Sequence, residues 1–374
     1  QASPPRCKLS TTCREPAVLK PVTPPQDTPM PAAPLLPTPL LPPQPNASHG
    51  QRWQRELAEA VRDPLELCRL LGIDLSLADQ ARLATGVFPL LVPRSFIARM
   101  RPGDPSDPLL AQVLPLAKER ENVAGFSADP LAEMDALASP GLVKKYAGRA
   151  LLLVTGACAI NCRYCFRREF PYAESGATQA GIQKAIGTIA ADTTIREVIL
   201  SGGDPLLLDD ERLERLVLKI EAIPHVRRLR IHSRLPIVLP QRVTDSLVAI
   251  VANTRLATVV VVHANHPAEL DATVQLALGR LATSRAILLN QSVLLAGVND
   301  SLDTLAMLSE RLLESGVVPY YLHLLDRVQG TAHFEVPENV AMALHASLRN
   351  TLPGYAVPRL VREVPGEPAK VWLG

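Results

Sequence analysis

The 374-residue chain is short of cysteine, of net charge and of long apolar runs. Its 6 cysteines are too few to staple a chain of this length into a disulfide scaffold. Lys plus Arg (39) nearly cancel Asp plus Glu (37), for a formal charge of +2. No strong field of one sign therefore draws nucleic acid or a membrane surface to it. No run approaches the ~18 consecutive apolar residues of a membrane span. The longest, around Val259 to Val262, is strand-sized. Core material is not short: 47% of residues are hydrophobic, which excludes a wholly disordered chain.

Proline is abundant and uneven. Of 35 prolines, 14 fall in residues 1–50. Each fixes φ and removes an N–H, so this density builds neither helix nor central strand. Residues 1–50 are expected to be a disordered, polyproline-like tail. Pro34 to Pro45 also interrupt any apolar core of the kind a signal peptide needs.

Residues 51–148 read as a helical region. Trp53, Leu57 and Val61 recur at helical spacing. Asp63-Pro64 reads as an N-cap followed by proline at the first helical position. Later prolines keep the following segments short, and the expectation here is a helical cap without chemistry.

From residue 149 the pattern changes. Six short runs, at 150–155, 197–201, 228–232, 256–263, 286–291 and 317–323, alternate with helical stretches near 178–191, 210–222, 242–252, 267–282 and 302–315. Alternating strands and helices predict an α/β fold with a parallel sheet. Six strands are fewer than the eight of a closed barrel, so a partial (β/α)6 TIM-like barrel over 149–335 is expected, with a doubly wound sheet as the alternative. A C-terminal helix and tail complete 336–374. Polar residues cluster after the strands, where β/α barrels place their sites.

After the first strand comes Cys158-Ala-Ile-Asn-Cys162-Arg-Tyr-Cys165. Three thiols within eight residues predict a metal site. Structural zinc wants four ligands, and a histidine such as His263 would have to serve as the fourth. Three thiolates leave one iron of a four-iron cluster open to a small molecule. After the second strand, Ser201-Gly202-Gly203-Asp204 offers close backbone approach and a carboxylate, or a plain turn. Lys370, in Pro365-Gly-Glu-Pro-Ala-Lys370, is a tail cation or an amine able to form a Schiff base.

The three-cysteine spacing resembles the radical S-adenosylmethionine (SAM) superfamily. That likeness implies a partial barrel, a [4Fe-4S] cluster on Cys158, Cys162 and Cys165, and SAM on the open iron. It also implies SAM contacts from Ser201, Gly202, Gly203 and Asp204, and from Ser233, His263 and Gln291. Together with the segments Cys158 to Arg168, Leu294 to Asp300 and the Lys370 loop, the chain resembles the lysine 2,3-aminomutases, and the segments beginning at Pro171, Arg230, Pro319 and Gln329 look like the bacterial branch that supplies β-lysine for elongation factor P. The resemblance implies pyridoxal 5′-phosphate (PLP) anchored on Lys370, its phosphate met by Lys145, Tyr146 and Arg149. Arg167 matches the arginine that grips the substrate carboxylate, which a guanidinium does bidentately. Asp300 and Glu363 match two acids that hold the distal ammonium of lysine, Glu363 standing for an aspartate.

The implied activity is conversion of L-α-lysine to (R)-β-lysine by an amine shift from C2 to C3. It further implies an external electron donor, a cytoplasmic setting, and a lysyl-tRNA-synthetase-like ligase that attaches the product to elongation factor P. Two rivals stand: a radical aminomutase of another amino acid such as glutamate, and a metal-binding or interaction protein without enzymatic activity.

Overall fold

The computed structural model describes residues 49–84 and 88–374. The proline-rich residues 1–48, with Cys7 and Cys13, lie outside the described residues. The chain opens with α1 (His49–Ala58), α2 (Pro64–Leu71) and α3 (Ser76–Ala84). Asp63 caps α2 as its sequence predicts: its carboxylate accepts from the Leu65 N–H, and Pro64 needs no partner. Leu67, Cys68 and Leu71 are buried on the inner face of α2.

A ten-stranded sheet follows, each strand beside its neighbour in sequence. Two short strands, β1 (Leu137–Ser139) and β2 (Leu142–Val143), lead antiparallel onto β3 (Arg149–Thr155). Parallel pairing then runs through β4 (Glu197–Gly202), β5 (Arg228–Ser233), β6 (Ala257–Val262), β7 (Ile287–Val293) and β8 (Val318–His323). These are the six expected strands. The crossovers carry α4 (Gln179–Ala191), α5 (Asp210–Glu221), α6 (Asp245–Asn253), α7 (Ala272–Ala282) and α8 (Leu302–Glu314). Thr178, Asp209, Thr244, Asp271 and Ser301 cap them, each accepting a first-turn N–H. On α5, Leu213, Leu216, Val217 and Ile220 repeat at i, i+3, i+4 and i+7 and are buried.

The sequence-based boundary at 336 misses one element. After α9 (Glu338–Thr351), Arg359–Arg362 adds a seventh parallel strand, β9, beside β8. Val371–Trp372 returns antiparallel as β10. What reads as a tail is therefore the end of the sheet, and Lys370 sits on a strand-to-strand connection. The boundary at 148 is likewise crossed, because β1 and β2 belong to the sheet. One hydrophobic core runs from Trp53 and Leu67 through Leu152 and Val198 to Leu312 and Val317, so the N-terminal helices share it with the barrel.

The sheet is open but bent. Arg149 and Leu151 of β3 and Glu363, just past β9, line one cavity of about 460 Å³. Strands at opposite ends of the order face the same space only if the sheet curls round it. Alternation does the sorting: on β5, Leu229 and Ile231 are buried in the hydrophobic core, while Arg230 and His232 line the cavity.

Candidate active site

The cavity collects residues from, or just past the end of, each strand of the parallel sheet, as the clustering of polar residues after the strands predicts. Cys158, Cys162 and Cys165 line it, and Lys370, Lys145, Tyr146 and Arg149 line it too. So do Arg167, Ser201, Gly202, Gly203, Asp204, Ser233, His263, Gln291 and Glu363. Asp300 does not. It is exposed at the turn before α8, and the working polar group of that loop is its neighbour Asn299. The Asn299 amide donates to the carbonyls of Asn265 and Val293, tying two strand ends together.

The cysteine loop is held from both sides. The Gly203 and Asp204 N–H groups donate to the carbonyls of Thr155 and Ala157, at 2.7 and 2.8 Å. A Cβ on Gly203 would stand 2.0 Å from the Ala157 oxygen, and one on Gly202 (φ 119°) 2.4 Å from that of Thr155. The two glycines are thus required by the loop packed on them. On the other side, Asn161 reaches Leu91 and Pro89, and the Arg163 N–H reaches Gln112. Arg163 is wholly buried and pairs with Glu119, which also pairs with Arg168. The N-terminal region is therefore more than a cap: it grips the cysteine loop.

Asp204 is saturated. Its carboxylate accepts from Leu206 and Ser233 on one oxygen and from the Arg234 and Leu235 N–H groups on the other. Burial nonetheless raises it to about 6. It clamps the loop after β4 to the loop after β5, a role the sequence does not reveal. Arg167 is also occupied. Its Nε and Nη2 donate to Glu133 at 2.6 and 2.9 Å, and its Nη1 to Ser201 and Gly202. That leaves one Nη2 hydrogen without a protein acceptor.

At the far end, Glu363 bridges Lys370 and Lys145, the latter at 2.9 Å. Burial opposes its charge, but the two ammonium groups outweigh burial and hold it at about 2. Asp326, past the end of β8, faces the same space. Burial, reinforced by the charge of Glu363, raises it to about 7. Glu363 and Asp326 are thus two acids that line this cavity, which Asp300 does not. The signal in the sequence for Asp326 was its place after a strand in Pro319-Tyr-Tyr-Leu-His-Leu-Leu-Asp326.

Several features fit small-molecule cofactors. The rings of His232 and His263 pack edge to face at 5.8 Å, and the Nε2 of each is buried without a protein partner. Burial above all keeps both imidazoles below their usual range, with Arg234 and Arg167 adding to it at His263, which lies at about 4. They are neutral groups ready to bond a ligand. The Arg149 guanidinium stacks 4.8 Å over Tyr146 and, among the described residues, has no carboxylate partner. An unneutralised guanidinium near a reactive amine suits a phosphate-bearing carbonyl compound. Burial, with charge repulsion among the sulfurs, raises the thiols of Cys158 and Cys165, the latter to about 11. Ionised together, Cys158 and Cys165 would need nearby positive charge to stabilise them.

Comparison with known proteins converges with this geometry. Residues 152–267 match the radical SAM superfamily, so the matched segment begins in β3 and contains the cysteine loop. The chain is 50% identical over 329 residues to the L-lysine 2,3-aminomutase of Escherichia coli, covering 88% of this chain and 96% of that one. It is 46% identical to the enzyme of Haemophilus influenzae over 88% of this chain and 98% of that one. To the enzyme of Clostridium subterminale it is 39% identical, over 72% and 65%. Similarity of this extent covers most of the chain, which belongs to the lysine 2,3-aminomutase family of radical SAM enzymes, isomerases that use a [4Fe-4S] cluster and SAM.

Proposed function

We propose that the enzyme converts L-α-lysine to (R)-β-lysine with PLP attached to Lys370, and that the product serves the modification of elongation factor P. The observation that carries the lysine assignment is the pair of acids, Glu363 and Asp326, at the cavity end that also holds Lys370. A distal ammonium finds the Glu363 carboxylate and, once it ionises, that of Asp326; the distal carboxylate of glutamate would gain nothing from either.

When bound, the cluster and SAM would supply the radical chemistry, and PLP would carry the amine. The remaining work falls to the protein. Lys370 offers the amine that anchors PLP, and Arg149, Tyr146 and Lys145 line the wall that receives the phosphate. Arg167, braced by Glu133, offers its one remaining Nη2 hydrogen to the substrate carboxylate. Glu363 and Asp326 take the distal ammonium, fixing how far C3 lies from the cysteine wall. Ser201 to Asp204, Ser233, His263 and Gln291 form the wall assigned to SAM.

The link to elongation factor P, the partner ligase and the cytoplasmic setting rest on the likeness of the segments around Pro171, Arg230 and Gln329 to that bacterial branch. Among the described residues no helix is long and apolar enough to cross a membrane. An external one-electron donor is required by the cluster chemistry. The test is incubation of reconstituted enzyme with labelled lysine, omitting cluster, SAM and PLP one at a time. β-Lysine is expected only from the complete mixture; none from it overturns the assignment. Lys370→Ala should also lose the PLP adduct that borohydride traps in the parent enzyme.

A further inference from the structure

The three thiols have different surroundings. Cys165 is met by a neutral donor, the backbone N–H of Arg167. Cys162 is met by a cation: Nη1 of Arg234 donates to its sulfur. Arg234 follows β5 and is only 6% exposed. Its Nη2 donates to Gln112 at 2.7 Å and to Glu269 at 2.9 Å. Both anchors are themselves fixed. Gln112 donates to Glu269, and Glu269 accepts the N–H groups of Asn265 and His266. The guanidinium also lies 5.5 Å from the ring centres of Phe96 and Tyr164. Planar contacts and two hydrogen-bonded anchors leave it one orientation, with an edge on the sulfur.

We infer that Arg234 is a positioning residue that tunes the cluster, raising its reduction potential through the charge-assisted hydrogen bond to Cys162. Reduction adds one electron to an assembly of three thiolates and four irons. A cation bonded to a ligating sulfur stabilises the more negative, reduced state. The site is buried, so salt screens this little. Glu269 works the other way: its carboxylate partly cancels the guanidinium, and its removal should favour reduction.

This rests on the three cysteines holding the cluster. The test is a redox titration of the full-length, anaerobically reconstituted protein without SAM or PLP. Titanium(III) citrate is the reductant, visible absorbance and electron paramagnetic resonance are the readouts, and iron is counted in each sample. Arg234→Gln with full iron should shift the midpoint to more negative potential, and Arg234→Lys should fall between it and the parent. Glu269→Gln should shift it to more positive potential. A merely structural role moves iron content or melting temperature and gives no pair of opposite shifts. An Arg234→Gln protein with full iron and the parent midpoint overturns the proposal. If that variant takes up no iron, a Glu269→Gln midpoint unchanged or more negative overturns it. A parent protein that takes up no iron overturns instead the cluster assignment beneath it.

Discussion

Asp326 and Glu363 end different strands, and their surroundings drive them apart. Glu363 sits between two lysine ammonium groups and stays ionised; Asp326 is half-buried beside that negative charge and is raised to about 7. Substrate ammonium requires Asp326 to ionise. In the free enzyme its carboxyl is largely protonated below pH 7, and each unit lower costs about tenfold in the ionised fraction. Affinity for lysine should therefore rise from pH 6 to 8 and then level, because the substrate ammonium keeps its proton to about pH 10. Asp326→Asn should raise the KM for lysine by roughly tenfold to a hundredfold, the worth of about 1.5–3 kcal/mol for a hydrogen bond to a charged group. It should also flatten that pH dependence. A KM–pH series on parent and variant checks both, and a slope that survives in Asp326→Asn would contradict the role. Asp300→Asn, on the exposed turn, should change neither.

The cysteine loop has little regular structure of its own, and its shape comes from its neighbours. Gly203→Ala places a methyl on the Ala157 carbonyl, and backbone cannot yield as a flexible side chain would. The variant should fold but bind less iron after reconstitution, measured as iron per chain. On the opposite side, Glu119→Ala strands the buried cations Arg163 and Arg168. Loss of one partner of a buried pair costs about 3–5 kcal/mol, so the melting temperature should fall with the iron content. At this scale the sequence was legible where propensity and burial agree: the six strands and five crossover helices lie within a few residues of the expected spans. β9 was missed because four residues, Arg359–Arg362, carry too short a pattern. They become a strand only because β8 offers an edge.

Across the whole molecule, the principal core runs through the N-terminal helices and the barrel. Its stability comes from this continuous packing, while the thiols lie on the cavity wall. Replacing Cys158, Cys162 and Cys165 together by serine should therefore leave the far-ultraviolet circular dichroism intact and unfolding cooperative, while removing all iron. Loss of fold in that variant would show the cluster to be structural.

The sequence by itself determined the strand–helix alternation, the three-cysteine loop, the glycine pair that supports it and the lysine near its end. Each is local: periodicity, spacing, or a backbone position that only glycine fills. Tertiary structure decided which acid shares the cavity with Glu363, that Arg167 is braced by Glu133, that Asp204 clamps two loops, and that Arg234 touches Cys162. Those partners lie on separate strands and loops, and only curling of the sheet brings them within hydrogen-bond reach. Chemistry-bearing residue types can be read from a chain; their pairing across a cavity follows from which strand ends the fold turns inward.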